Sequence, residues 1–421
     1  MSANPIQPSS VSDVRHVSNA PSAHHSSAHK LPRAAKMIYR VLERLEVGQL
    51  SFTAPDGHTR TFRGRLPGPH ADIRFMDWGV AAEALKAAEI GLAECYRDGR
   101  VHTSDLTAFL ELCSRNQQAL ESVFYGKPWV ALLFRIKHLL RANTRSGSKK
   151  NISAHYDLSN DFYRLWLDDT MTYSSGLFAG DYTLTHEVAQ SAKYERILQE
   201  LNPQPGESVL EIGCGWGGFA EHAARTRGVK VHGITLSREQ LAFARARIAR
   251  AGLDHLVSLE FIDYRDVTER YDHVVSIEMF EAVGERFWPT YFKAVHDRLK
   301  PGRKAVIQAI TIDEAAFPRY RATSDFIREY IFPGGMLAPV PRFIDDAAKA
   351  GLSAQPPLMF GLDYAETLKR WRDRVNAQVE PIRALGFDDK FLQIWRFYLC
   401  YCEAGFRAQR TDVMQITLRR G

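Results

Sequence analysis

The sequence predicts an α/β protein: a doubly wound, Rossmann-like parallel sheet with a helical lid, preceded by a smaller N-terminal α+β domain. Three observations predict it. Strand and helix patterns alternate from Pro205 to about Ile312. The run Glu211-Ile-Gly-Cys-Gly-Trp-Gly-Gly218 falls where a strand pattern ends and a helix pattern begins. Residues 36–140 instead read as helix, then strands, then helices.

In chain order, residues 1–33 are rich in Ser, His, Ala and Pro, with Asp13 the single acid, a composition that supports no core and reads as a disordered tail. Its histidines, His16, His24, His25 and His29, read as surface groups, and no metal site is expected. In the 36–140 domain, Leu50-Ser-Phe-Thr-Ala54 and His58-Thr-Arg-Thr-Phe62 flank Pro55-Asp-Gly57, the pattern of a hairpin. Asp77 precedes an Ala-, Leu- and Glu-rich run from Trp78 to Leu92 and is expected to cap that helix. Residues 141–152 read as a basic linker. Together with Arg135 and Lys137 they give a stretch without an acid, suited to anionic lipid at roughly 1 kcal/mol per basic side chain, or to plain solvation. Residues 153–421 form the second domain. Ser208–Ile212, Val229–Thr235, Leu256–Ile262, Tyr271–Ile277 and Lys304–Ile310 read as strands, and Gly218–Arg227 and Arg238–Ala251 as helices. Asp313–Gly421 reads as mostly helical and aromatic-rich, a cap or lid over the sheet.

A chain of 421 residues, 45% hydrophobic and 25% charged, is long enough for two domains with cores and excludes a small binding module. Its apolar runs, such as Trp129–Phe134, fall far short of the roughly 20 residues that a membrane span needs, so any membrane contact is expected to be peripheral. The net charge of +6 fits an anionic partner such as phospholipid headgroups, but taken alone reads as a solvated surface; nucleic acid is not expected as a partner. Five cysteines, Cys95, Cys113, Cys214, Cys400 and Cys402, with no secretory signal, predict neither a disulfide framework nor zinc, and a cytoplasmic location.

Gly213, Gly215, Gly217 and Gly218 let backbone approach a nucleotide-like ligand. The spacing is GxGxG and not the dinucleotide GxGxxG. Glu211 before it suits an amine-bearing cofactor and would repel a pyrophosphate. The next strand ends in Thr235, Leu236, Ser237 and Gln240, with no acid for a ribose until Glu239; Ser237 and Gln240 also fit a helix capping box.

With these residues in view, the chain resembles the cyclopropane-fatty-acid synthases and mycolic-acid methyltransferases, which use S-adenosylmethionine. The resemblance rests on His155-Tyr-Asp-Leu-Ser-Asn-Asp-Phe-Tyr163, Met171-Thr-Tyr-Ser174, Leu210–Gly218, Thr235–Gln240, Met279-Phe-Glu-Ala-Val-Gly284 and Tyr398–Arg407. It implies a methyltransferase catalytic domain over 153–421, with Tyr173, Ser174, Leu210–Gly218, Thr235–Gln240, Asp263 and Tyr264 around the cofactor. Trp216, Tyr264 and Tyr173 are expected to turn π faces toward its sulfonium. His155, Tyr156 and Asp157 would open a lipid-side helix.

The family methylates a cis double bond of an acyl chain. An alkene has no proton to surrender first, so the enzyme must orient it, exclude water and stabilise a carbocation. Phe280, Glu281, Tyr364 and Trp371 are candidates for that stabilisation. The resemblance further implies a bicarbonate base, held by a Cys, a Glu, a His, an Ile backbone and a Tyr. Glu281, Ile310 and Tyr364 match, whereas Ser175 replaces the Cys, Gln308 the His, and Ala282 a second His. Ser and Gln hydrogen-bond an anion without an imidazolium charge, which weakens the case for bicarbonate. Glu278, where many relatives have Gly, is expected to replace it as base or as the cation's counter-charge, or else to bind the cofactor amine or pair with a nearby Arg. Cys402 matches a Cys sometimes assigned to the active site, although alkene methylation needs no covalent intermediate. Phe326, Tyr330, Ile331, Phe332 and Met336 read either as an acyl tunnel or as core.

The expected function is S-adenosylmethionine-dependent methylation of unsaturated phospholipid acyl chains, with cyclopropanation as the default outcome, at the inner membrane surface, in a protein that is a candidate homodimer. The rivals are a methyl-branched product made with a redox partner, small-molecule N- or O-methylation, and lipid binding without catalysis.

Overall fold

A computed structural model describes residues 31–119 and 158–421. The tail up to residue 30, the basic stretch 134–150 and His155–Asp157 lie outside the described residues. The first region runs α1 (Arg33–Leu42), β1 (Val47–Thr53), β2 (Thr59–Arg63), β3 (Leu66–Phe75), α2 (Gly79–Arg97), β4 (Val101–His102) and α3 (Leu106–Arg115), with sheet order β2-β1-β3-β4. The expected hairpin is present: β1 and β2 are antiparallel from Thr53 opposite Thr59, and Gly57 takes φ +85° in the turn. The return strand β3, parallel to β1, gave no clear alternation, since Pro67, Gly68 and Pro69 interrupt it. Asp77 does not cap the body of α2 as expected. The N-cap is Trp78, without a side-chain cap bond; Asp77 accepts from Gly79 N at 2.7 Å and takes a two-pronged bond from Arg100 at 2.8 and 2.6 Å. Asp77 thus serves the first N–H of α2 and the Arg100 guanidinium at once.

The second region continues with α4 (Asn160–Trp166), α5 (His186–Leu201), β5 (Ser208–Ile212), α6 (Gly218–Arg227), β6 (Lys230–Thr235), α7 (Arg238–Arg250), β7 (Val257–Phe261), β8 (Tyr271–Ile277), α8 (Trp288–Arg298) and β9 (Leu299–Ile312). Then come α9 (Phe317–Ala322), α10 (Val340–Lys349), β10 (Leu352–Ala354), β11 (Leu358–Met359), α11 (Gly361–Ala377), α12 (Val379–Ala384), α13 (Asp389–Arg407) and β12 (Thr411–Arg420). The sheet order is β7-β6-β5-β8-β9-β12-β10, with β11 also on β12. This is the Rossmann-like α/β fold, with two corrections. The sheet is mixed, because β12 runs antiparallel to both β9 and β10. The C-terminal segment is not only a lid, since β12 fills an interior position of the sheet. Val413–Leu418 is buried throughout, its polar members Gln415 and Thr417 included.

Helices α11 and α13 stand between β12 and the N-terminal region. Helix α13 contacts α2 and α3, and one apolar cluster joins Phe52, Phe75 and Phe109 to Trp371, Trp395 and Phe397. A buried polar joint crosses the same boundary. Glu403, wholly buried, accepts from Arg372 at 2.6 Å and from Thr107 of α3 at 3.2 Å. No helix among the described residues is long and apolar enough to cross a membrane.

Candidate active site

The first half of the site lies beyond β5 and β6. The chain leaves β5 through Gly213 (φ +87°), Gly215 (φ +51°) and Gly217 (φ +81°) into α6, and the N–H groups of Gly213 and Cys214 both donate to Ile234 O, at 3.0 and 2.9 Å. A Cβ on Gly213 would sit 2.9 Å from Met279 Cγ and one on Gly218 2.7 Å from Tyr194 OH, while one on Gly215 would meet nothing within 4 Å. The turn is therefore tight against the protein at its two ends and open at Gly215. Leu210 is core. Glu211 is buried, its Oε2 has no hydrogen-bond partner, and burial holds its carboxyl well above the usual range against the pull of Arg247. A buried acceptor without a donor fits a ligand ammonium. Burial likewise raises the Cys214 thiol, which leaves it inert.

Thr235 Oγ1 accepts from Ser237 N at 3.1 Å and donates to Gln240 Oε1 at 3.3 Å, while Ser237 Oγ accepts from Gln240 N at 3.2 Å and caps α7. Leu236 is half-buried beside them. Trp216, Asp263 and Tyr264 each have partners within the protein. Trp216 gives its Nε1 to Asn160 at 2.7 Å and packs 5.0 Å from Tyr163, so it clamps α4 to the glycine turn. Asp263 is held in a fork by Arg265 at 2.8 and 2.6 Å. Tyr264 meets Tyr291 edge-on at 5.8 Å and carries the Arg265 guanidinium 5.4 Å from its ring centroid; burial pushes its phenol up to about 12.

The second half lies beyond β8 and β9. Glu278 follows β8 with φ +50°, a left-handed conformation that costs a residue with a Cβ roughly 1–2 kcal/mol. Its N–H still donates to Gln308 O at 2.8 Å. Three donors converge on its carboxylate: Ser175 N at 2.9 Å and Gln308 Nε2 at 2.7 Å on Oε1, and Tyr364 OH at 2.6 Å on Oε2. Ser175 contributes backbone only; its hydroxyl turns away to Gly176 O at 2.9 Å. Gln308 is itself fixed, since Gln415 Nε2 donates to its Oε1 at 2.9 Å and Arg196 donates to Gln415 Oε1 at 2.8 Å. Glu281 Oε1 accepts from Ile310 N at 2.5 Å, and its Oε2 has no partner.

Sequence reading missed Lys193. It is fully buried on α5, donates to Ser174 Oγ at 2.5 Å, and burial pushes it down to about 7, opposed by Glu278 and Asp168. The signal was there: Lys193 falls on the face of α5 that carries Ala189, Gln190 and Ile197 into the core. Gln190 of the same face donates to Ser174 O at 2.9 Å, so α5 fixes the Tyr173–Ser175 segment. Burial raises Glu278, with Lys193 and the three donors pulling the other way. Glu281 is pushed up to about 8 by burial and by repulsion from Glu278. Lys193 and the three donors thus favour the negative charge on Glu278, and that charge in turn favours the proton on Glu281. Tyr364 is raised well above its ordinary value and remains a donor.

Glu278, Glu281, Ile310, Tyr364 and Tyr173 line a cavity of about 600 Å³. Tyr173 bonds Tyr398 OH at 2.6 Å and lies 5.3 Å from Trp371. Cys402 also lines the cavity; burial pushes its thiol far up, so it is no nucleophile. Phe332 and Met336 are cavity wall, whereas Phe326 and Ile331 are core and Tyr330 is exposed, donating to Glu94. Of the cation-stabilising candidates, Phe280 is enclosed by Trp288, Tyr291 and Phe343, and Trp371 is buried behind Tyr364 and Tyr173.

The fold and the glycine turn define a class, the Rossmann-like S-adenosylmethionine-dependent methyltransferases. Residues 143–416 match the family described as mycolic acid cyclopropane synthetase, and the chain belongs to that family. It is 40% identical over 340 residues to the tuberculostearic acid methyltransferase UfaA1 of Mycobacterium tuberculosis, covering 79% of each chain. It is 33% identical over 353 residues to the cyclopropane-fatty-acyl-phospholipid synthase of Escherichia coli K12, covering 83% of this chain and 88% of that one. The crystal structure of the mycolic acid cyclopropane synthase CmaA1 complexed with SAH and CTAB aligns with TM-score 0.61 and 31% identity, over 65% of this chain and 98% of that one. The cofactor is S-adenosylmethionine, and the reaction class is methyl or methylene transfer to lipid. The four-stranded sheet precedes the matched residues.

Proposed function

We propose that the protein methylates a double bond of an unsaturated acyl chain, of the kind esterified in membrane phospholipid, and releases a methylene-branched chain in preference to a ring. The observation that carries this is the Glu278 carboxylate, seated among Ser175 N, Gln308 Nε2 and Tyr364 OH, where the family resemblance would seat bicarbonate. The 40% identity to a tuberculostearic acid methyltransferase supports the branched product.

S-adenosylmethionine supplies an electrophilic methyl group; Glu211 would hold its ammonium and the open turn at Gly215 its nucleoside part. The alkene π pair would bond the methyl carbon as the methyl–sulfur bond breaks, its electron pair departing with S-adenosylhomocysteine, and a cation is left on the neighbouring alkene carbon. Glu278 faces that charge from a wall otherwise mostly apolar, where a fixed anion acts strongly. Its three donors hold its position, and Glu281, protonated, adds no second negative charge. A hydride shift to the neighbouring carbon moves the cation to the methylated carbon, where it is tertiary. Glu278 then accepts a proton from the new methyl, and the C–H pair becomes the double bond of a methylene (C=CH2) branch. Reduction to a saturated methyl branch needs a hydride donor from a separate reductase. Loss of the methyl proton before the shift closes a cyclopropane instead.

The test is incubation of the protein with methyl-labelled S-adenosylmethionine and phosphatidylglycerol vesicles bearing oleoyl chains, followed by NMR of the released fatty acids. The vinylic protons of a methylene (C=CH2) branch are expected. Upfield cyclopropane protons would overturn the branched product, and absence of label from lipid would overturn the acyl acceptor. In Glu278→Gly the backbone strain is relieved and the three donors are freed for an anion. Added bicarbonate is expected to restore turnover in that variant and to shift its product toward the ring.

A further inference from the structure

The cavity beside Glu278 does not end at the catalytic sheet. It continues into the N-terminal region, where Ile38 of α1, Leu50 of β1, Ile73 of β3, Ala84 and Leu92 of α2 and Leu112 of α3 all form its wall. Protein interiors are close-packed, with few voids larger than a water, and unfilled apolar volume destabilises in proportion to its size. A hollow running through the centre of a small α+β unit therefore calls for an occupant. The volume of about 600 Å³ falls within the range of ligand sites.

The wall chemistry is uneven along the cavity. Among the described residues, the N-terminal side contributes one ionisable acid, Glu89, and no Lys or Arg. Burial pushes Glu89 up to about 7; charged or neutral, it offers no attraction to a carboxylate or phosphate. Cations outnumber acids where the two regions meet, with Arg319, Arg328 and Arg410 on the catalytic side beside one acid of the lining, Asp325, 3.6 Å from Arg328. The helix walling the hollow is broken beside Glu89, at Ala87 and Ala88, the latter with φ +46°. That break departs from helical geometry along the lining Ala84, Ala88 and Leu92.

We infer that the hollow N-terminal α+β region receives the methyl-terminal part of the acyl chain whose double bond lies at Glu278, with the ester and its anionic headgroup left toward the arginines at the junction. This rests on the acyl-alkene reading above. The N-terminal region is then a wall of the substrate site, and its depth limits how much chain extends beyond the reacting carbon.

The test compares wild type with Ala84→Phe and Cys113→Phe, which add bulk to the hollow from α2 and α3. Substrates are phosphatidylglycerols with myristoleoyl, palmitoleoyl or oleoyl chains, which share the carboxyl-side length and differ on the methyl side. Palmitoleoyl against cis-vaccenoyl varies the carboxyl side alone. Since single methylenes in a fitted pocket are discriminated by tenfold or more, the oleoyl-to-myristoleoyl ratio of kcat/KM is expected to fall about tenfold in each variant. The cis-vaccenoyl-to-palmitoleoyl ratio should hold. An unchanged first ratio, or an equal loss on every chain, overturns the inference. Independently of how the variants fold, wild-type protein is irradiated with a phospholipid carrying a diazirine near the methyl end. Cross-links to α1, α2 or α3 are expected, and cross-links confined to residues after 158 overturn it. If wild type methylates no lipid, the acyl-alkene reading itself has failed.

Discussion

Glu211 and Glu278 stand at the carboxyl ends of the adjacent strands β5 and β8, the first buried and the second on a cavity wall, yet their surroundings are opposite. Glu211 Oε2 lacks a donor, whereas the Glu278 carboxylate receives three. An unfilled buried acceptor is an invitation to a cationic ligand group, since only binding removes the penalty of its isolation. A filled one is already paid for by the protein and acts as a fixed charge. The same side chain thus serves binding on one strand and electrostatics on the next.

Four outcomes sharpen or break this contrast. Glu278→Gln should lower kcat by about 10²–10³-fold, the scale set by loss of one preorganised group at a developing charge, with cofactor affinity by calorimetry unchanged. Equal loss of cofactor affinity would erase the division between the two acids. Glu211→Gln should weaken cofactor binding about tenfold, equivalent to ~1.4 kcal/mol, while kcat at saturating cofactor stays within about twofold of wild type. Lys193→Met should move the acid limb of the kcat profile to higher pH, because removing a cation that stabilises ionised Glu278 raises that carboxyl further; an unmoved limb would exclude Lys193 from the electrostatics. The smallest effect concerns stability. Glu281 sits at about 8 in the fold against 4.5 as its ordinary value, so the folded state binds more protons between those pH values and stability falls as pH rises through them. Glu281→Gln should flatten that part of the Tm profile, and an unaltered slope would place the proton elsewhere.

The cofactor half was legible because its signals are local. Glu211, the glycines and the Ser237 cap lie within one strand-turn-helix or the next, where the order of residue types is the structure. The acceptor half draws Ser175, Lys193, Glu278, Gln308, Tyr364 and Gln415 from separate elements, and periodicity is silent on which will meet. Family resemblance brought forward Glu278, Glu281, Gln308, Ile310 and Tyr364, but not Lys193 or Gln415, whose parts depend on the packing of α5 and β12. Nor could it say that Ser175 would present its N–H and withhold its hydroxyl. Asp263 and Trp216 were assigned to the cofactor by position, and their side chains went to Arg265 and Asn160. Strand β12 carries a strand signal, with Met414, Ile416 and Leu418 alternating with Gln415, Thr417 and Arg419, and was passed over because Asp313–Gly421 was read as one mostly helical segment.

The left-handed backbone at Glu278 also bears on descent. A position held at φ +50° admits glycine most easily, and glycine and glutamate codons differ by a single middle base. An ancestor with an empty, exchangeable anion seat and a descendant with a tethered acid could therefore be separated by one point mutation, with no rearrangement of the chain between them. Ring-forming and branch-forming lineages would then be expected to interleave in a genealogy of the family instead of splitting once.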